Sequence, residues 1–266
     1  MARNHVRTND PYAKQFLSKF EKLCYARSGW QVWIDFVSAT ACALANTFDK
    51  DSPHYQEREK EYEQCAERLG GTDNAAELFS YVVLAMEENP EQDFLGDLYM
   101  NLELSNHWKG QFFTPYHLCE AMARMTIGDA IDEVNSRGWA SVNDPACGAG
   151  AIMIAAANHM KAVNIDYQNH VLFVGQDIDR VAGLMCFIQL ALLGCAGYIV
   201  IGNALTDPVV GSSVLFPDET EGQEIWYLPM YYNDVWNMRR KFNLMDTLLK
   251  SMMNKPHDDG GEQNEG

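Results

Sequence analysis

A glycine turn and an acid about one strand-helix unit beyond it are the residues whose types and spacing could do chemistry in this chain. The turn is Asn143-Asp144-Pro145-Ala146-Cys147-Gly148-Ala149-Gly150, and the acid is Asp177, which ends the apolar run Val171-Leu172-Phe173-Val174-Gly175-Gln176. Glycines in such a turn let backbone approach a bound group closely, and an acid at the end of the next strand stands where an open α/β sheet holds a ribose hydroxyl pair. The chemistry this suggests is capture of an adenosine-bearing cofactor by backbone amides and one carboxylate. Asp179 lies two residues later, but Asp177 is preferred because it directly terminates the apolar run. Cys147 sits inside the turn, yet no histidine is placed by sequence to activate it, so no thiolate nucleophile is read there.

These residues need a sheet to position them. The apolar run Trp139 to Val142 leads into the turn and the helix-forming stretch Ala151 to Met160 follows it. Strands are expected at about 139–144, 171–177, 198–202 and 225–231. Val181 to Gly202 is nearly all apolar, with Gln189 its one clearly polar residue, and is long enough to raise the question of a membrane span. Gly194-Cys195-Ala196-Gly197 cuts it into a buried crossover helix and a buried strand, so no span is expected. Ahead of this region Pro11 to Arg27, Trp30 to Phe48, Pro53 to Leu69 and Ala75 to Glu88 read as helices, with Gln56 to Arg68 charged on most faces and expected to meet solvent. The division expected is a helical N-terminal lobe over 1–92, a cofactor-binding domain over 93–256, and a disordered acidic tail over 257–266. Arg239-Arg240-Lys241 is read as the solvated face of a helix running from Asp234 to Met253.

Four motifs in order, Gly110-Gln111-Phe112-Phe113-Thr114-Pro115, the glycine turn, Gln176-Asp177-Ile178-Asp179 and Gly202-Asn203-Ala204-Leu205, resemble the adenine-N6 DNA methyltransferases, and most closely the modification subunit of type I restriction-modification systems. Asp93-Phe94-Leu95-Gly96 also resembles the segment that precedes the first motif there. The resemblance implies an α/β fold: a Rossmann-like S-adenosylmethionine-dependent methyltransferase core preceded by the helical lobe. It implies that Phe113 packs on S-adenosylmethionine, that Thr114 meets its carboxylate, and that Asp144, Ala146, Gly148 and Gly150 line its methionine and ribose, with Asp144 drawing the ammonium group. Asp177 is then the ribose acceptor. Asn203 stands where the family usually has an aspartate facing the adenine amino group, and its amide oxygen can accept the same bond.

The chain departs from that family in one respect that bears on catalysis. No Asn-Pro-Pro-Tyr or Asn-Pro-Pro-Phe turn occurs in it, and that turn is what holds a target amine while its aromatic stacks on a flipped base. Asp207-Pro208-Val209-Val210 begins similarly, comes too early, and is read as a turn. Trp226, Tyr227, Pro229 and Tyr231 lie at a fitting distance and could shape a substrate pocket, or else belong to an aromatic core or a partner-binding segment. The catalytic residues are therefore unknown from sequence. After Asn203 the chain is short for three more strands and a target-recognition domain, so the sheet is expected to be truncated or completed by a partner.

Charge bounds the partners. The 20 lysines and arginines are outnumbered by 37 acids, giving a net charge of -17, which argues against autonomous nucleic-acid binding and for DNA reached through a partner specificity or methyltransferase subunit. Seven cysteines without a CxxC pair fit reduced thiols in the cytoplasm, and the histidine spacing shows no metal site. Neither a membrane nor a metal is expected. Three functions stay open: methyl transfer to adenine N6 in DNA, a catalytically silent cofactor-binding module that modulates a restriction-modification assembly, and a methyltransferase for a non-DNA substrate.

Overall fold

A computed structural model describes residues 9–25, 27–102 and 113–253, and no side chain from 251 on. Gly110, Gln111 and Phe112 of the first motif lie outside the described residues, as does the acidic tail over 257–266.

Four helices open the chain: α1 (Pro11–Leu23), α2 (Gly29–Phe48), α3 (Tyr55–Arg68) and α4 (Thr72–Glu88). Local chemistry starts the first two. The Asp10 carboxylate accepts from the Tyr12 and Ala13 amides at 2.7 and 3.0 Å with Pro11 in the first turn, and the Ser28 hydroxyl accepts from Gln31 at 3.2 Å. Phe16 and Phe20, one helical turn apart, meet Trp33 and Phe36 of α2 edge-on with centroids 5.2 to 6.0 Å apart, so these aromatics are packing. Seven of the thirteen residues from Gln56 to Arg68 are exposed, as expected of the charged α3, but one side of the helix packs. Arg58 is buried, bonded to Asp49 at 3.1 Å, and Glu61 reaches across to Arg180 at 2.8 Å. Opposite charges across a contact let these groups leave water together.

Three short helices follow, α5 (Phe94–Asn101), α6 (Tyr116–Thr126) and α7 (Gly128–Arg137), before β1 (Ala140–Asp144). Helices α8 (Ala151–Ala162) and α9 (Tyr167–His170) lead to β2 (Val171–Asp177), and α10 (Arg180–Leu192) leads to β3 (Ala196–Ile201). A hairpin of β4 (Val210–Ser213) and β5 (Phe216–Asp218) precedes β6 (Glu224–Tyr227), a 3-10 turn over Pro229–Tyr232, and α11 (Asp234–Met253). The main sheet has the order β1-β2-β3-β6, parallel in its first three strands, with β6 antiparallel on the outer edge of β3. This is a Rossmann-like core with a short sheet, preceded by a helical lobe. Among the described residues no strand pairs with the other edge of β1, and no helix is long and apolar enough to cross a membrane.

Side chains alternate between the two faces, as strand geometry requires. Val171, Phe173, Ile199, Ile201 and Trp226 point into a core shared with α2, α8 and α10, which runs on into the helical lobe. Leu172, Val174, Tyr198, Val200 and Ile225 point to a second core closed by the hairpin, the 3-10 turn and Trp236. The fourth strand is shorter than expected, since Pro229 starts the 3-10 turn, and Val210, read as part of a turn, begins β4. The Arg239-Arg240 pair is not a solvated face either. Arg239 donates to the carbonyls of Asn169 and Gly138, while Arg240 donates to the Tyr231 carbonyl at 2.6 Å and lies 3.9 Å over that ring.

Candidate cofactor-binding site

Parallel pairing of β1 with β2 brings the glycine turn beside the acid. Asp144 lies opposite Gly175, and the Cys147 amide donates to the Gln176 carbonyl at 3.0 Å. The next amide, of Gly148, donates to Asp177 Oδ2 at 2.8 Å. Gly148 has φ 54°, and a Cβ there would stand 3.1 Å from the ring of Phe113, so glycine lets that ring close over the turn. Gly150 has φ 98°, and a Cβ there would meet Cys186 Sγ at 2.8 Å. Phe113, Asp144, Ala146, Gly148, Gly150 and Asp177 thus meet at one place, the C-terminal ends of β1 and β2. Thr114 follows Phe113 and is exposed, and the Cys147 thiol is buried.

Each acid is oriented by backbone. Asp144 Oδ1 accepts from Ala146 at 3.0 Å, and Asp177 Oδ1 accepts from Asp179 at 2.8 Å. Burial is the largest influence on both and raises their carboxyls above the ordinary aspartate range, against the pull of these amides. Asp179 has another duty: its Oδ1 caps α10, accepting from Val181 and Ala182 at 2.9 and 3.2 Å. Between the two acids in sequence Ile178 is 69% exposed, an apolar side chain that the motifs did not single out.

Asn203 lies past the end of β3, whose exit is tied to the acid by the Gly202 amide donating to the Asp177 carbonyl at 2.9 Å. Its side-chain oxygen accepts from the Leu205 and Thr206 amides at 3.0 and 3.4 Å, closing a turn. What Asn203 can offer a ligand in this arrangement is its NH2 group, a donor.

The aromatic residues beyond β3 are not gathered into one pocket. Trp226 is buried on the α10 side, 5.6 Å from Phe187, with the guanidinium groups of Arg58 and Arg180 at 4.8 and 5.5 Å. Tyr227 and Tyr231 lie on the opposite face, 4.7 Å apart and packed around Tyr198, and the Tyr231 hydroxyl donates to the Leu215 carbonyl at 2.6 Å. Pro229 starts the 3-10 turn between these contacts. Neighbouring positions on a strand face opposite ways, so Trp226 and Tyr227 cannot line one wall.

A network invisible in the motifs braces the glycine turn. Gln189 of α10 is fully buried; its NH2 donates to the Ala149 carbonyl at 2.8 Å and to Asp93 Oδ1 at 2.7 Å, while its oxygen accepts from Leu95 at 3.0 Å. Asp93 Oδ1 also accepts from Gly96 at 2.9 Å. The signal for it in sequence was the lone polar residue of an apolar run, because a buried amide has to find partners. Burial pushes the Asp93 carboxyl up to about 6. A carboxyl raised on folding stabilises most below its unfolded value and loses that contribution as pH rises through the folded one. Asp93→Asn removes the dependence. Relative to wild type, the variant should gain about 3 kcal/mol between roughly pH 4 and pH 7, a shift of about two pKa units. Urea unfolding of both proteins at the two pH values measures it, and a stability difference independent of pH would refute the assignment.

No curated protein matches the chain. Among solved structures, the type I restriction-modification system methyltransferase subunit from Streptococcus thermophilus aligns with a TM-score of 0.42 and 13% identity, covering 76% of this chain and 60% of that one. The chain therefore spans about three fifths of that protein's length. The family model described as N-6 DNA Methylase matches residues 90–247, more than half of the sequence, and takes in the glycine turn, Asp177 and Asn203. The chain belongs to the N-6 DNA methylase family.

Proposed function

We propose that the chain binds S-adenosylmethionine across the C-terminal ends of β1 and β2 and serves methyl transfer to adenine N6 in DNA, with a partner subunit supplying DNA contacts. What supports the reading above all is the hydrogen bond from Gly148 to Asp177, which holds the glycine turn against the acid. The residues present suit the cofactor. Asp177, held at both oxygens by backbone amides, keeps acceptor capacity for ribose hydroxyls, since a carboxylate has about four lone-pair sites. Asp144 sets a negative charge by the turn for the ammonium group, the exposed Thr114 hydroxyl suits the carboxylate, Ala146 and Gly150 flank them with little bulk, and Phe113 covers Gly148. Ile178 offers an exposed apolar contact to a purine, and the Asn203 NH2 a donor to its ring nitrogen.

S-adenosylmethionine supplies an activated sulfonium methyl, so the protein's part is to fix its position and exclude water. The seven free cysteines suit a reducing compartment, and we place the chain in the cytoplasm.

A second reading, a cofactor-binding module that modulates a restriction-modification assembly without catalysing transfer, is favoured by one observation. The Asn-Pro-Pro-aromatic turn is lacking, and the aromatics nearest its expected place, Trp226 and Tyr231, are buried in the two cores. Transfer of labelled methyl from S-adenosylmethionine into unmethylated DNA, with and without proteins that co-purify, separates the two. Label recovered as N6-methyladenine supports the enzyme; tight cofactor binding with no label in either mixture supports the module.

A further inference from the structure

Helix α11 leaves the body after its second turn. Trp236 is buried and donates to the Gln168 carbonyl at 2.8 Å, and Arg239 and Arg240 fix the same side of the helix to the sheet. From Lys241 to Lys250 every residue except the half-buried Asn243 is exposed. A helical segment of that length is marginal in water without packing. Five of its exposed apolar residues form one stripe, with Leu244 and Leu248 outside it. Val235, Met238, Phe242, Met245 and Leu249 recur at alternating steps of three and four, with Met252 next in sequence, and the five described are 38% to 60% exposed. That is an a/d heptad seam, turned away from the side that Trp236 and Arg240 hold.

We propose that α11 pairs with α11 of a second copy of this chain in a short parallel coiled coil, with the two bodies side by side at its N-terminal end. Charge selects the occupant. With Val235 at a, Asp234 and Lys241 fall at g and Arg239 and Asp246 at e. In a parallel pair each g residue faces the following e residue of the other helix, which sets Asp234 against Arg239 and Lys241 against Asp246, opposite charges in both cases. Arg239 is already bonded to the Gly138 and Asn169 carbonyls, so Lys241–Asp246 is the pair free to act between helices. Within one helix Asp246 meets Lys250 at 2.6 Å, an exposed contact that is worth little. Docking of α11 against α11 covers Phe242 and Met245 at the centre of the seam and gives the projecting turns the packing they lack.

Sedimentation equilibrium of the full chain over a roughly hundred-fold concentration range tests this, because self-association depends on protomer concentration. The expected result is a monomer–dimer equilibrium that Phe242→Glu abolishes while the thermal unfolding of the body is kept, since the residue is exposed. Lys241→Glu should weaken the dimer roughly ten-fold, and Lys241→Glu with Asp246→Lys should restore it. A monomer at every concentration overturns the proposal and leaves the seam to a different protein. A dimer indifferent to Phe242→Glu, or a double variant no better than Lys241→Glu, overturns it as well. None of these readouts depends on methyl transfer.

Discussion

Asp177→Ala should lower the affinity for S-adenosylmethionine by roughly a hundred-fold or more, as measured by calorimetry. Hydrogen bonds to a charged acceptor contribute about 1.5 to 3 kcal/mol each, so losing two from the ribose costs about 3 to 6 kcal/mol. The substitution also frees the Gly148 and Asp179 amides, both now anchored on this carboxylate, and so loosens the turn. Asp177→Asn keeps an oxygen for one of those amides and should fall between the two. The ionised carboxylate is the acceptor, and burial raises its pKa, so wild-type binding should be full above that raised value and be lost as pH falls through it, earlier than for an ordinary aspartate. Asp177→Ala should lose this share of the pH dependence and keep only the share due to Asp144, whose carboxyl burial also raises. Equal affinities for wild type and the alanine variant would remove the cofactor from this crevice.

The crevice was legible because its parts obey local rules. β1, β2 and β3 are apolar runs ended by turn residues, and the glycine turn announces a close backbone approach, so motif order and strand order coincide. The choice of Asp177 over Asp179 rested on where the apolar run stops, and the structure gives Asp179 the separate task of capping α10. What sequence hid was long-range or short. The hairpin β4–β5 spans only four and three residues, with Gly211 and Pro217 inside it, and carries no alternation to detect. The strand near 225 was visible, but its antiparallel pairing with β3 depends on how the chain returns across the sheet, which no window of residues encodes. Its pleat then sends Trp226 and Tyr227 to different cores, and the imagined aromatic pocket separates. Charged α3 looked solvated because its partners, Asp35 and Asp49 in and after α2, Arg180 of α10 and the Ile225 carbonyl of β6, lie in other segments. Asn203 was read for its oxygen, whereas the turn it starts consumes that oxygen locally.

The largest loss of stability should come from Gln189→Leu, a change of similar size that leaves no gap to fill. It strips partners from three buried groups at once: the Leu95 amide, the Ala149 carbonyl and Asp93. Each orphaned group costs about 1 to 3 kcal/mol, and partial relaxation brings the sum to about 3 to 5 kcal/mol, a large share of a domain's stability. Because Ala149 belongs to the glycine turn, the same variant should also bind S-adenosylmethionine less tightly, which a core residue remote from the crevice would not do. Gln189→Glu distinguishes the cause. It keeps the acceptor for Leu95 but replaces the donor to Ala149 with a carboxylate facing Asp93, two like charges in a dry site. Burial and repulsion raise the pKa of such a pair, so this variant should be less stable than Gln189→Leu near neutral pH and recover as pH falls and a proton is shared between the two acids. Urea unfolding of the three proteins across that range decides it. A loss below about 1 kcal/mol for Gln189→Leu, within the ordinary range for a surface change, would mean the turn is held by its glycines and the Asp177 contact alone.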